Sequence, residues 1–421
     1  MNPINYIKHD RATIYHLLPV YLVITFVYAS VNISWGIVLP ILFNKTAIYV
    51  PQSEQASFWF GCFASIYSLG QLLSYNVIGI LSDRVGRKPI MVTTLLLFAI
   101  SHVILAVSIY TGQFLWILAA RFLSGLFANY INIGQSMILD YVDQSERKRF
   151  LNYYYVFANV PFALIPMFFS LTLYQNLNTL SVGGLVSPLI IIAACLVALA
   201  TWIHWRYHDQ YTQQVSTPVD SARHFYKQQL LNKAAIRQYT LNILIFSAMA
   251  VFYTAYPMLL LSDFNFTMES QSSVVAANNL ICMTLSLLVV PKLVSTIRSE
   301  TLIQSNLICV MVLTMLMSMT TVATAYLSYQ LCVCLGFCLL LPLCVDAIAK
   351  TVTQNNQCKN LSINQSLKLL TKIILPPLTG YLIEYNSNLV WLLISLISLV
   401  TLALTQQNKA SQPLTVTASP G

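Results

Sequence analysis

The sequence predicts an all-α membrane protein that crosses the bilayer twelve times, and its composition is the first reason. Only 8% of the 421 residues are charged, with 22 Lys or Arg and 13 Asp or Glu, against roughly 25% in soluble domains. The chain is 57% hydrophobic, with a mean hydropathy of +0.68. A water-soluble surface of this size needs more charge, so a cytosolic enzyme, a secreted disulfide-linked protein and a disordered chain are excluded.

Apolar runs are the second reason. A helix needs about 20 residues to cross roughly 30 Å of hydrocarbon. Runs of this kind cover approximately residues 17–44, 57–81, 89–110, 113–140, 151–173, 181–203, 238–261, 271–293, 302–324, 327–349, 363–384 and 387–405. A long polar stretch separates the sixth run from the seventh. We therefore expect an N-terminal six-helix bundle at 1–203, a cytoplasmic linker at 204–237, a C-terminal six-helix bundle at 238–405 and a cytoplasmic tail at 406–421.

The positions of Lys and Arg predict the orientation, because cationic loops tend to remain in the cytoplasm. With the N-terminus inside, most of the 22 cations fall in cytoplasmic segments, and Lys45 lies in an outer loop. Acidic residues such as Glu54 and Asp263 fall in outer loops. The prediction is a multi-pass protein of the cell inner (plasma) membrane, embedded in the lipid bilayer with both termini in the cytoplasm.

Several functional classes have no support in the sequence. The cations are scattered through short loops and make no basic face for nucleic acid. Eight of the nine cysteines fall in apolar runs, and none has the spacing of a zinc site. No G-x-x-x-x-G-K-(S/T) phosphate loop, H-E-x-x-H or G-x-S-x-G motif occurs. We therefore expect neither an ATP-driven pump nor an enzyme, with no cofactor and no metal.

The loop between the second and third runs carries a motif: residues 79–89 read GILSDRVGRKP. Gly86 permits a positive φ, Pro89 suits the start of the third helix, and Gly79 would allow close helix approach. The loop resembles the signature G-x-L-(S/A)-D-R-x-G-R-(R/K)-P of the major facilitator superfamily. Residues 121–125 resemble that family's R-F-x-x-G element, and residues 140–147 its D-x-x-x-x-x-E-R element.

The resemblance implies two pseudo-symmetric six-helix bundles (the MFS fold) and a small-molecule substrate, and it is strongest to the twelve-span drug:proton antiporters. It also implies that Asp83 latches the N-terminal half to the C-terminal half in one state of a gate, with support from Arg87. Asp346 and Lys368, near the inner ends of the tenth and eleventh runs, are expected to form an ion pair there. The predicted gate residues are Gly79, Asp83, Arg84, Gly86, Arg87, Asp346 and Lys368.

Polar and aromatic residues inside the runs are the candidates for binding a solute, because buried polar groups in a membrane tend to face a cavity or a partner. The family lines its central cavity with the first, fourth, seventh and tenth spans. Arg121 lies about 12 Å inside its run at helical rise. The predicted substrate-binding residues are Tyr28, Asn32, Trp35, Arg121, Asn132, Gln135, Tyr253, Tyr256 and Lys372. The structural alternative is interhelical hydrogen bonds and interface aromatics, with Arg121 snorkelling outward.

These features predict a monomeric secondary transporter that works by alternating access, uses the proton gradient and exports a drug-like or metabolite solute. The alternative is import of an anionic solute such as a carboxylate or a siderophore-type compound. It rests on three embedded cations, Arg121, Lys368 and Lys372, against one embedded acid, Asp346. Residues 164–169 also lack the glycine-rich element that drug antiporters usually have in the fifth span. A non-transporting membrane sensor is a more remote alternative.

Overall fold

The structure, a computed structural model, describes residues 3–43, 55–128, 130–142, 146–175, 181–207, 232–349 and 357–411. Within these ranges the chain is helical almost throughout and contains no strand. The helices are α1 (Pro3–Phe43), α2 (Ala56–Val85), α3 (Arg87–Tyr110), α4 (Phe114–Leu126), α5 (Tyr130–Tyr141), α6 (Arg147–Leu171), α7 (Val182–Arg206), α8 (Lys233–Ser262), α9 (Met268–Leu288), α10 (Val290–Thr296), α11 (Ser299–Met319), α12 (Ala323–Ala349), α13 (Gln357–Asn386) and α14 (Asn388–Ser411). Most of the predicted linker and tail lies outside the described residues.

Each of the twelve predicted runs corresponds to helix, but two of them are not continuous. The eighth is divided between α9 and α10 at Val289, and the fourth is split into α4, which ends at Leu126, and α5, which begins at Tyr130. The carbonyl groups at the break are used by neighbouring helices, since Gln71 of α2 donates to the carbonyl of Ala128 at 3.3 Å and Tyr154 of α6 donates to that of Tyr130 at 3.2 Å. The bond to Ala128 satisfies a carbonyl that lies between the two helices, whereas the bond to Tyr130 adds to the helical pairing expected at the start of α5.

The helices form two groups. In the first half, α1 packs on α6 and α7, and α3 packs on α4 and α7; in the second, α13 and α14 pack on α8, and α14 packs on α11. The halves meet along two extensive helix pairs, α2 with α13 and α6 with α9. We call the end of the bundle where α1 ends and α2 begins the Ser57 end, and the end where α2 meets α3 the Gly86 end.

Seven helices of the described chain are long and apolar enough to cross a membrane: α1, α3, α7, α8, α11, α12 and α14. The four helices that join the halves, α2, α6, α9 and α13, do not meet that criterion. Their faces pack on protein as well as on lipid, so serines, asparagines and prolines are tolerated there. A count of apolar helices therefore falls below the twelve spans that the sequence predicts.

The hydrophobic cores differ between the two ends. The largest core contains residues of both halves, and the first half contributes to it from the region towards the Ser57 end, for example Ile37, Phe63 and Phe169. Towards the Gly86 end, the first half has a core of its own around residues such as Val20 and Met137, and no described residue of the second half belongs to it. The halves thus share a core at the Ser57 end and are separate at the Gly86 end.

Candidate functional site

Arg121 of α4 is the most deeply buried cation of the described chain, with 1% of its surface exposed. Its guanidinium carbon lies 4.3 Å from the ring centroid of Tyr67 and 4.8 Å from that of Phe63, both on α2. These are cation–π distances. The Nε and Nη1 atoms of Arg121 have no hydrogen-bond partner among the described residues. Arg121 therefore does not snorkel outward: it is held by aromatic faces and keeps donors unused.

Further polar side chains surround this arginine. The hydroxyl of Tyr67 lies 3.2 Å from that of Tyr130, which is 2% exposed. His102 of α3 is fully buried, and its Nδ1 lies 2.8 Å from the carbonyl oxygen of Phe98. Tyr67 and Tyr130 were not among the predicted residues, since a tyrosine in an apolar run carries no signal of its own.

The other candidates in the first half divide into two groups. Tyr28 is half-buried and packs edge-on against Tyr130, with ring centroids 6.3 Å apart, so it adjoins the Arg121 cluster. Asn32 instead donates to the carbonyl of Tyr28 in its own helix at 2.8 Å, and Trp35 packs on Phe60 at 4.9 Å. The packing of Trp35 between helices fits the structural alternative, whereas the bond of Asn32 stays within one helix.

The apolar run at 113–140 predicted one continuous helix, and this prediction is wrong. Arg121 lies on α4, whereas Asn132 and Gln135 lie on α5, beyond the break. Gln135 is half-buried, and the side chain of Asn132 lies outside the described residues.

In the second half, the candidates do not gather around one cation. Tyr256 is 3% exposed and Tyr253 is partly buried, and their ring centroids lie 6.2 Å apart. On α13, the ammonium of Lys368 lies 5.2 Å from the ring centroid of Phe246, and the side chain of Lys372 is exposed. The ion pair expected between Lys368 and Asp346 cannot be placed, because the side chain of Asp346 lies outside the described residues.

The signature loop forms a tight connection between α2 and α3, as its glycine predicts. Gly86 has φ 109°, a left-handed conformation that favours glycine. Arg87 ties the loop to α5, with its Nε 3.2 Å from Oδ2 of Asp140, and its Nη1 donates to Ser82 at 2.9 Å. Arg84 is exposed, and the side chain of Asp83 lies outside the described residues.

The role expected for Gly79 is wrong, because a Cβ at that position would meet nothing within 4 Å. The close approaches are made elsewhere on α2. A Cβ on Gly61 would lie 2.2 Å from the carbonyl oxygen of Pro376, and one on Gly380 of α13 would lie 2.2 Å from that of Ser57. No real Cβ fits there, so these glycines set the distance between the halves.

Comparison with known proteins agrees with this architecture. The family model of the Major Facilitator Superfamily matches residues 20–341 and 239–417. The chain belongs to the major facilitator superfamily. It is thus a multi-pass membrane transporter, as the loop motif and the two six-helix halves indicated.

Individual relatives are more distant. The chain is 34% identical over 115 residues to the tetracycline resistance protein, class C, of Escherichia coli. The aligned region covers 27% of this chain and 28% of that protein. It is 23% identical over 363 residues to multidrug resistance protein 2 of Bacillus subtilis (strain 168), covering 82% and 85%. Among solved structures, a bacterial homolog of the human lysosomal transporter Spinster, inward-facing and unoccupied, matches with a TM-score of 0.72 at 12% identity over 94% of this chain and 97% of that one.

Proposed function

We propose that this member of the superfamily exports drug-like or metabolite solutes by alternating access and that the proton gradient drives it. The observation that carries the proposal is the contrast between the ends: one shared core towards the Ser57 end and separate cores towards the Gly86 end. Two rigid halves that share a core at one end only can rock about a site between them.

The direction of transport is supported by the relatives. Two proteins similar to this chain are named for tetracycline resistance and multidrug resistance. The positive-inside rule assigns the Gly86 end to the cytoplasm, because Arg84, Arg87 and Lys88 lie there. Solute would then enter the cleft from the cytoplasm of a monomer in the inner membrane, and Arg121 with its unused donors would lie in the wall of its path.

Proteoliposomes test the proposal, with tetracycline as the first probe and a cationic dye and a tricarboxylate as comparators. An imposed proton gradient should drive tetracycline or the dye in the direction opposite to the protons, and a protonophore should abolish the flux. Flux that ignores the gradient would contradict proton coupling. Preferential uptake of the tricarboxylate would contradict export of a drug-like solute and would support import of an anionic solute.

The Asp83→Asn variant separates a transporter from a sensor. If Asp83 latches the halves, as the family resemblance implies, this variant should lose solute flux and still insert normally in the membrane. Unchanged solute flux in this variant would contradict a role for Asp83 in the gate.

A further inference from the structure

Proline residues in the two interface helices α6 and α13 expose backbone carbonyl groups. A proline inside a helix lacks the N–H that would bond the carbonyl four residues earlier. α6 contains Pro161 and Pro166, and α13 contains Pro376 and Pro377. The carbonyl groups left without their usual donor include those of Phe157, Phe162 and Ile373. In a membrane such groups need another partner.

A side chain from a neighbouring helix donates to each of these three carbonyl groups. Ser65 of α2 donates its hydroxyl to the carbonyl of Ile373, four residues before Pro377. The side-chain amide of Asn279 on α9 donates to the carbonyl of Phe162 at 2.8 Å, four residues before Pro166. The hydroxyl of Thr25 on α1 lies 3.2 Å from the carbonyl of Phe157, four residues before Pro161, and shares its single proton between that carbonyl and the carbonyl of Tyr21 in its own helix, at 3.0 Å.

Two of the three bonds join the halves of the molecule, and they are equivalent under the internal repeat. α2 and α9 are the second spans of their halves, and α6 and α13 are the fifth spans. In each interface, therefore, a second span donates to the proline-exposed carbonyl of the fifth span of the other half. The bond from Thr25 has the same chemistry but stays inside the first half, so it has no part in joining the halves.

We infer that Ser65 and Asn279 are positioning residues of the transport cycle, which close the Ser57 end by binding proline-exposed carbonyl groups and release them when that end opens. This inference rests on the alternating access proposed above. Ser65 is 8% exposed and lies one helical turn from Gly61, where α2 touches the backbone of Pro376. Hydrogen bonds in a contact that excludes water are stronger than hydrogen bonds at a hydrated surface. When the end opens, water would replace Ser65 and Asn279 as the donor to these carbonyl groups.

Hydrogen–deuterium exchange of the full protein in lipid nanodiscs tests the inference, with each bond read out at the opposite interface. Ser65→Ala removes a bond between α2 and α13, so the measured peptides are those at the start of α9, on the other interface. Losing one such bond should shift the ratio of closed to open molecules about three- to tenfold and raise exchange there. Asn279→Ala should do the same at the start of α2. A merely local role would leave the opposite interface unchanged.

Three more variants sharpen the test. Thr25→Val removes the matched bond inside one half and should leave exchange at both interfaces as in the wild type. Ser65→Thr keeps the hydroxyl and should restore closure. Pro377→Ala restores an N–H that competes with Ser65 for the carbonyl of Ile373, so it should act in the same direction as Ser65→Ala, and the double variant should be less than additive.

Failure of the proposed transport cycle and failure of this inference would give different results. If wild-type protein shows no change of exchange at either end when tetracycline and then a proton gradient are added in proteoliposomes, the proposed transport cycle is wrong for this solute. If the wild type responds but Ser65→Ala and Asn279→Ala match it at the opposite interfaces, or if Thr25→Val opens the Ser57 end equally, the inference is overturned.

Discussion

The first half of the protein buries its embedded cation, whereas the second half leaves one of its two embedded cations accessible. Arg121 is 1% exposed and lies between the rings of Phe63 and Tyr67. In the second half, Lys368 contacts the ring of Phe246 and Lys372, one turn later on α13, is exposed. Like charges one helical turn apart repel each other.

Cations that look alike in the sequence, each inside an apolar run, therefore have different surroundings in the two halves of the structure. A buried guanidinium with unused donors is destabilising by itself, and in the proposed transport cycle the solute would supply the missing partner. Among the described residues, Lys368 and Lys372 leave no buried donor of this kind unused. The first half is therefore the better candidate for solute recognition, and the second half for support.

The largest effect is expected for Arg121→Met. Removing the guanidinium should lower solute counterflow in proteoliposomes roughly 100-fold, the equivalent of one strong charge-assisted hydrogen bond. Lys372→Met, the matched control in the other half, should lower it about tenfold or less. Arg121→Lys should not rescue, because an ammonium lacks the planar face that stacks on two rings. Equal losses in Arg121→Met and Lys372→Met would remove the contrast between the halves.

A smaller effect, on stability and not on recognition, is expected for Asn242→Leu in the second half. Asn242 is fully buried and donates to the carbonyl of Cys344 at 3.2 Å and to Oδ1 of Asn364 at 3.1 Å. It thereby connects α8, α12 and α13. Leaving these acceptors unpaired should lower the free energy of unfolding by about 2 kcal/mol.

Thermal unfolding in detergent measures this effect against Asn32→Leu, its counterpart in the first half. The amide of Asn32 bonds a carbonyl of its own helix, so its loss should change stability by under about 1 kcal/mol. A larger loss in Asn32→Leu than in Asn242→Leu would mean that the first half, too, depends on a polar connection between helices.

The smallest effect is expected for Arg87→Gln at the Gly86 end. Its ion pair with Asp140 joins side chains that are 14% and 28% exposed, and pairs of this kind contribute about 0.5 kcal/mol, less in high salt. Arg298, in the corresponding loop of the second half, is exposed, so Arg298→Gln should leave stability unchanged. Unfolding midpoints at low and high salt measure both; a salt-independent loss in Arg87→Gln would contradict an electrostatic role.

Much of the fold was readable from the sequence, because the bilayer imposes a simple rule on length and polarity. The twelve apolar runs all correspond to helix, and the glycine of the signature loop has the positive φ that the motif predicts. The break between α4 and α5 was not readable. No proline marks it, and the carbonyl of Ala128, which lies between the two helices, is satisfied by Gln71 from another helix.

The candidate site was predicted only in part, for a related reason. Arg121 stood out because charge inside an apolar run is rare, and the structure places it at the centre of a cluster. Tyr67 and Tyr130 did not stand out, since a tyrosine suits a lipid interface, a core and a binding site equally. The close approaches at Gly61 and Gly380 were not predicted, and the one predicted at Gly79 was wrong, for the same reason: whether a glycine in a helix permits a close contact depends on which helix packs against it.

The sequence by itself determined the membrane class, the two halves and the family, because each depends on composition or on residues that are adjacent in the chain. Only the tertiary structure decided at which end the halves share a core and which cation is buried. It also decided that carbonyl groups exposed by the prolines of α6 and α13 accept hydrogen bonds from Asn279 and Ser65. The two hydrogen bonds join residues more than a hundred positions apart, and the contacts of Arg121 join residues more than fifty positions apart. Their free energy depends on packing distance and on the exclusion of water, and neither is written in a linear pattern.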